Sequence, residues 1–154
     1  MPNTPALLGA GASGLYASAA VSTEQKLIAE QLFQATGLST WVANEALIDS
    51  VTALSGSGPA YVFLLAEAMQ AAAEQQGLSQ EIAQALAVQT FVGAAKMLSE
   101  TGESAAELRK RVTSPNGTTQ AAIEIFEQNG LREIVQSAMN AAAERGRTLS
   151  QEND

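Results

Sequence analysis

Four stretches of this chain combine residue types that can do chemistry. GAGASG, residues 9–14, fits the spacing G-x-G-x-x-G. In that pattern the backbone approaches a pyrophosphate closely and a following helix offers its free N–H groups. VTSPNGTT, residues 112–119, puts a turn and two threonines ahead of a helical pattern. SGSGPAY, residues 55–61, sets small residues beside a proline, and Glu45 brings a carboxylate to a helix start. The chain has no His and no Cys. That excludes Ser-His-Asp triads, imidazole acid–base catalysis, His-based zinc sites, disulfides and thiol chemistry. Hydroxyls, carboxylates, backbone amides and a borrowed cofactor remain. No residue is assigned as catalytic and none as a metal ligand.

GAGASG lacks the surroundings a dinucleotide needs. A working fingerprint follows a strand, opens a helix and has an acid about 20 residues on. Here a Pro-containing segment precedes it, LYASAA follows it as an expected strand, and the window QLFQATG contains no acid. A flexible lead-in to a strand accounts for these glycines. The 112–119 loop is the better candidate. Pro115 ends one conformation, and Asn116-Gly117 favours a tight turn with positive φ. Thr118 and Thr119 then stand at a helix N-terminus, where unpaired N–H groups, hydroxyls and the helix dipole suit a small anion such as a carboxylate. A plain N-cap without ligand is the competing account. SGSGPAY can also cradle an anion, although a kink and close helix packing explain it as well. Dipole complementarity alone is enough to place an acid at Glu45.

These residues need elements to hold them. MPNTP reads as loop, because Pro2 and Pro5 bias against helix. Residues 15–20 read as a strand. Ser22 or Thr23 caps a helix through KLIAEQLFQAT, with Leu27, Ile28, Leu32 and Phe33 at helical spacing and Gly37 as its stop. Residues 39–43 read as a second strand. Strand–helix–strand is the end of an α/β sheet. Two strands make no stable sheet by themselves, so the rest of that sheet is expected to be missing here. From Asn44 onward all is helix. Asn44 caps one beginning at Glu45, SGSGP interrupts it, and Ser57 caps the next, with Pro59 in its first turn. Gly77, Gly102 and Asn129-Gly130 mark helix ends. Ser79 is an N-cap, and Ser104 with Glu107 forms a capping box. A last helix covers 131–149, and the tail QEND is expected to fray. The expected architecture is mainly α: residues 1–43 are a remnant of a Rossmann-type sheet, and residues 44–154 a helical domain.

Composition narrows the partners. Of 154 residues 46% are hydrophobic, 16% charged and 5% aromatic, with alanine filling much of the apolar share. Such a core means thin helices packed closely, often against a second subunit. The net charge of −8 argues against nucleic acid or an anionic membrane as partner. No signal peptide and no apolar run of membrane-spanning length is read, so the expectation is a soluble cytoplasmic protein.

The order of the motifs carries a resemblance. MPNTPALLGAGASGLYAS, EALIDSVTALSGSGPAYVF, GAAKML and AELRKRVTSPNGTTQAAIEIFEQNGLR follow one another over nearly the whole chain. Together they resemble the pyrroline-5-carboxylate reductases. The resemblance implies reduction of the C=N bond of 1-pyrroline-5-carboxylate to L-proline, the last step of proline biosynthesis. It implies NADPH or NADH as cofactor and an N-terminal Rossmann domain before a helical domain that interlocks into a homodimer, with dimers commonly assembling into decamers. Beside that plan this sequence starts late. The main cofactor site is expected to be absent from it, and the chain is expected to be a piece inactive alone. The resemblance places substrate contacts at Glu45, Ser114, Gly117, Thr118 and Thr119, and cofactor contacts at Asn3, Thr4 and Arg111. Asn116 stands where the family more often has Gly. Two alternatives stay open: a non-catalytic helical dimerisation module, and the helical half of a related dehydrogenase.

Overall fold

The computed structural model describes residues 1–152, and within them the chain is mainly helical with one pair of parallel strands. A short 3-10 helix, Thr4–Leu8, precedes β1, Gly11–Leu15. Then follow α1, Thr23–Gln34, and β2, Gly37–Trp41. The helices α2, Leu47–Val51, and α3, Gly58–Gln75, are joined by a π turn, Thr52–Gly56. The remainder is α4, Gln80–Glu100; α5, Ala105–Arg111; α6, Thr118–Gln128; and α7, Leu131–Glu152. Two compact units result. Among the described residues, one comprises Met1–Val62 with 135–152, the other Phe63–Ile134.

In the first unit β1 and β2 pair in parallel, from Gly11 opposite Gly37 to Leu15 opposite Trp41, with α1 as the crossover. A full capping box opens α1: Ser22 accepts from the Gln25 N–H and Gln25 reaches back to the Ser22 N–H. The indole N–H of Trp41 donates to Glu30, and Lys26 stands 5.6 Å from the Trp41 ring, so both α1 side chains grip β2. Leu15, Ala53 and Ser13 are buried.

Several sequence expectations are corrected here. The MPNTP segment is not all loop: a 3-10 helix starts at Thr4, because Pro5 occupies its first turn, where a missing N–H and a fixed φ cost nothing. The first strand is 11–15 rather than 15–20, so the GAGASG glycines lie in a turn and in the strand itself. Strand propensity disfavours glycine, but close packing demands it. A Cβ at Gly14 would stand 2.5 Å from a Val51 methyl, and one at Gly11 would stand 2.8 Å from both Ala6 Cβ and the Thr36 carbonyl. The second strand is 37–41 rather than 39–43. Gly37 does not merely stop α1 but begins β2 at φ 136°, with its Hα side pressed on the Gly11 backbone. Asn44 caps nothing: α2 starts at Leu47, and the Asn44 and Glu45 carbonyls accept from the Leu47 and Ile48 N–H groups in a preceding turn. The SGSGP stretch does interrupt the helix, through a π turn at Thr52–Gly56 and a bend at Ser57 before α3 begins at Gly58. Ser57 has helical dihedrals there instead of the extended ones of an N-cap.

The second unit follows its local signals closely. Ser79 caps α4, and the Ser104–Glu107 box opens α5. Gly77 and Gly102 take positive φ at helix ends. Its buried apolar residues are Ala83, Ala87 and Leu108, while Phe63 and Leu64 on α3 are 66% and 67% exposed. The last helix extends past 149 to Glu152. The expectation of fraying covers Asn153 and Asp154, which lie outside the described residues, and Gln151 and Glu152, which are helical.

Candidate functional site

Residues 112–117 link α5 to α6, and Thr118 and Thr119 are the first residues of α6. The Thr113 hydroxyl donates to the Arg109 carbonyl at 2.6 Å, and the Gly117 N–H donates to the Ser114 carbonyl at 3.0 Å. Asn116 has φ 57°, the left-handed region that Asn tolerates better than most residues. Gly117 has φ −86°, so the expected positive φ belongs to Asn116 alone. The Asn116 N–H donates to Gln120 Oε1 at 2.8 Å, and Gln120 in turn donates to Glu124 at 2.7 Å. Gln120 therefore braces the turn from inside α6, a role that the sequence reading did not assign.

Gly117 is the N-cap of α6 and has no side chain to cap with. The N–H groups of Thr118, Thr119 and Gln120 thus have no intrahelical acceptor, and they stand beside two hydroxyls at the positive end of the helix dipole. A larger residue at 117 would crowd this opening, since a Cβ there would lie 2.5 Å from Ser114 Oγ. Such a site can hold a carboxylate. Arg111, at the end of α5, pairs with Glu103. Nearby, Glu127 accepts from Arg132 at 2.7 and 2.8 Å and pairs with Arg109 at 3.3 Å. The Arg132 hydrogen bonds hold the Glu127 carboxyl below its ordinary range.

Glu45 belongs to the other unit. It is exposed and lines a cavity of about 610 Å³ together with Met1, Tyr16, Ile48, Asp49 and Ser150 among others. Asp49 follows Glu45 by four residues, a spacing that puts the two acids on one side of a helical stretch. It was not singled out from sequence, although that spacing was the available signal. Asn3 and Thr4 lie at the start of the 3-10 helix. Thr4 is exposed, and the Asn3 side chain is bonded at both ends, to the Ser55 carbonyl and to the Ala12 N–H. Thus Asn3, Thr4 and Glu45 share one unit, and Arg111, Ser114, Gly117, Thr118 and Thr119 share the other.

The G-x-G-x-x-G stretch does not fit a dinucleotide. It opens no helix. Its N–H groups are already committed: Gly11 to Thr36 O, Ala12 to Asn3 Oδ1, Gly14 to Met1 O. Among the described residues there is no group of three or more His, Cys, Asp or Glu side chains that could hold a metal, and no helix long and apolar enough to cross a membrane.

Comparison with known proteins adds the lineage. Residues 45–149 match the family described as pyrroline-5-carboxylate reductase dimerisation. The chain is 55% identical over 152 residues to a pyrroline-5-carboxylate reductase of Pseudomonas aeruginosa, covering 99% of this chain and 56% of that one. It is 45% identical to the Pasteurella multocida reductase over 150 residues, 97% of this chain and 54% of the other. The structure of a Coxiella burnetii pyrroline-5-carboxylate reductase superposes with a TM-score of 0.94 at 50% identity, over 97% of this chain and 55% of that one. A Plasmodium falciparum pyrroline carboxylate reductase solved with NADP bound gives a TM-score of 0.86 at 31% identity, over 96% and 60% of the two chains. The chain therefore spans about half the length of the curated relatives it matches.

Proposed function

The chain belongs to the pyrroline-5-carboxylate reductase family, and from that premise we propose that it forms the substrate-binding and dimerising part of an NAD(P)H-dependent reductase that converts 1-pyrroline-5-carboxylate to L-proline. The observation that carries this reading is the bare N-terminus of α6. Its uncapped N–H groups and the hydroxyls of Thr118 and Thr119 suit the ligand carboxylate, with Ser114 and Gly117 shaping the turn. Glu45 supplies a carboxylate for the ring nitrogen, which is cationic in proline and in the protonated imine. NADPH or NADH supplies the hydride. Asn3, Thr4 and Arg111 are the positions offered to the cofactor, Asn3 by shaping its turn, because its amide is committed. The chain's own contribution is orientation, which can account for several kcal/mol of a barrier. Residues 1–43 are read as the end of a dinucleotide-binding domain and 44–154 as the helical domain, a division supported by the family match beginning at 45. The setting is the cytoplasm, without nucleic acid or membrane partners.

The dimer is supported by the exposed apolar surface of α3 and α4, where Phe63, Leu64 and Leu86 are more than half exposed in the single chain. A light-scattering mass near 15.9 kDa at low concentration would overturn it. Assembly into a decamer is the further expectation. A second reading, an assembly module without catalysis, is favoured by the family match falling on the dimerisation part. Thr119→Ala separates the two in a protein that carries this chain with a complete dinucleotide-binding domain. Weaker substrate binding with dimerisation intact supports the carboxylate site; an effect on dimerisation alone favours the module. The 154 residues alone are expected not to oxidise NADPH, and steady-state oxidation dependent on pyrroline-5-carboxylate would refute that.

A further inference from the structure

The side-chain amide of Asn3 joins elements far apart in sequence. Its Nδ2 donates to the Ser55 carbonyl in the π turn at 2.9 Å, across 52 residues. Its Oδ1 accepts from the Ala12 N–H of β1, also at 2.9 Å. One partner only accepts and the other only donates, so the amide fits one way round. Asn3 is the N-cap of the 3-10 helix, a position where Asn ordinarily bonds its own first turn. Here its side chain makes no capping bond, and the bridge takes its place. Tyr61 holds the same π turn independently, with its hydroxyl donating to the Ala53 carbonyl at 3.1 Å.

The bridge ties together elements that lead into the walls of the Glu45 cavity, although Asn3, Ala12 and Ser55 do not line it. Met1, Gly14 and Tyr16 line it from the β1 side, and Glu45, Ile48 and Asp49 from the α2 side. Asn3 bonds the strand that leads into the first wall and the turn that continues the second. Gly14 of β1 packs directly on Val51 of α2, and Asn3 adds a polar tie between β1 and the π turn that continues α2.

We propose that Asn3 is a positioning residue that fixes the spacing of β1 and α2, and with it the placement of Glu45 in its cavity. The proposal rests on reading that cavity as the place of the substrate's ring nitrogen. The test uses the 154-residue chain, amide hydrogen exchange and titration with L-proline. Asn3→Asp keeps the acceptor for Ala12 and removes the donor to Ser55. At pH 7 the Ser57 amide, bonded to Thr52 O, should lose protection about fivefold, the size expected of one hydrogen bond. Near pH 4 the introduced carboxyl becomes protonated and can donate again, so protection relative to wild type should recover. L-proline affinity at pH 7 should fall by a similar factor. Tyr61→Phe should loosen the π turn and leave L-proline affinity unchanged. If wild type binds L-proline and Glu45→Gln weakens it while Asn3→Asp does not, the proposal is overturned and the cavity reading survives. Equal losses of affinity in Asn3→Asp and Tyr61→Phe would also overturn it, since the effect would then be general loosening. Absence of L-proline binding by wild type removes the cavity reading, and this proposal with it.

Discussion

Residues 9–14 and 113–119 are both glycine-containing stretches with small polar neighbours, and they do opposite things with their backbone. In the first, the glycines let chain approach chain. Gly11 and Gly14 sit where a Cβ would strike Ala6 and Val51, and the N–H groups of 11, 12 and 14 are bonded within the protein. In the second, the glycine ends a turn and leaves the next helix uncapped. Glycine spacing therefore says little about anion binding until the partners of the N–H groups are known. A stretch whose donors are committed is structural, and one whose donors are bare can bind.

The largest effect should come from breaking the contact that the first stretch makes with β2. Gly37→Ala places a side chain at φ 136° against the Gly11 backbone. Backbone strain of ~1–3 kcal/mol and overpacking of ~1–3 kcal/mol add to a loss of roughly 2–6 kcal/mol, read from urea unfolding. A loss under ~1 kcal/mol would mean that the strand pair is not held as described. The second stretch should tolerate more. Asn116→Ala costs about 1 kcal/mol for the left-handed backbone, whereas Asn116→Gly is close to neutral. A large effect of Asn116→Gly would show that the Asn side chain itself matters.

The smallest effect concerns α5, which leads into the second stretch. Hydrogen bonds from Ser104 hold the Glu107 carboxyl below its ordinary range. A lowered folded-state value means that the stabilisation is complete above the ordinary carboxylate range and is lost as pH falls through the folded value. Protection of the α5 amides should therefore decline on acidification from pH 6 to 3, and Ser104→Ala should remove most of that pH dependence. An unchanged pH profile in Ser104→Ala would assign the dependence to other carboxylates, Glu127 among them.

Legibility differed between the two units for a physical reason. Capping boxes, glycine stops and apolar periodicity act within a few residues, so α1 and α4 to α6 could be read closely from their own sequence. The β1 register, the start of α2 and the π turn depend on residues tens of positions away, and there the reading slipped. The candidate site divides in the same way. The uncapped start of α6 at Thr118 and Thr119, offered as an anion site, followed from local rules. The two hydrogen bonds of Asn3, the bracing by Gln120 and the company of Asp49 with Glu45 in one cavity lining did not.

By itself the sequence determined the helical majority, the caps of α1, α4 and α5, the exclusion of His and Cys chemistry, and the motifs that mark the family. Only the tertiary structure decided that the GAGASG glycines lie in a turn and in β1 with their donors taken, and that Asn3, in a segment expected to be loop, bridges β1 and the π turn. Local signals concern bonds that a segment can make with itself. Which N–H groups are left over for a ligand is settled only when distant segments meet and claim the others.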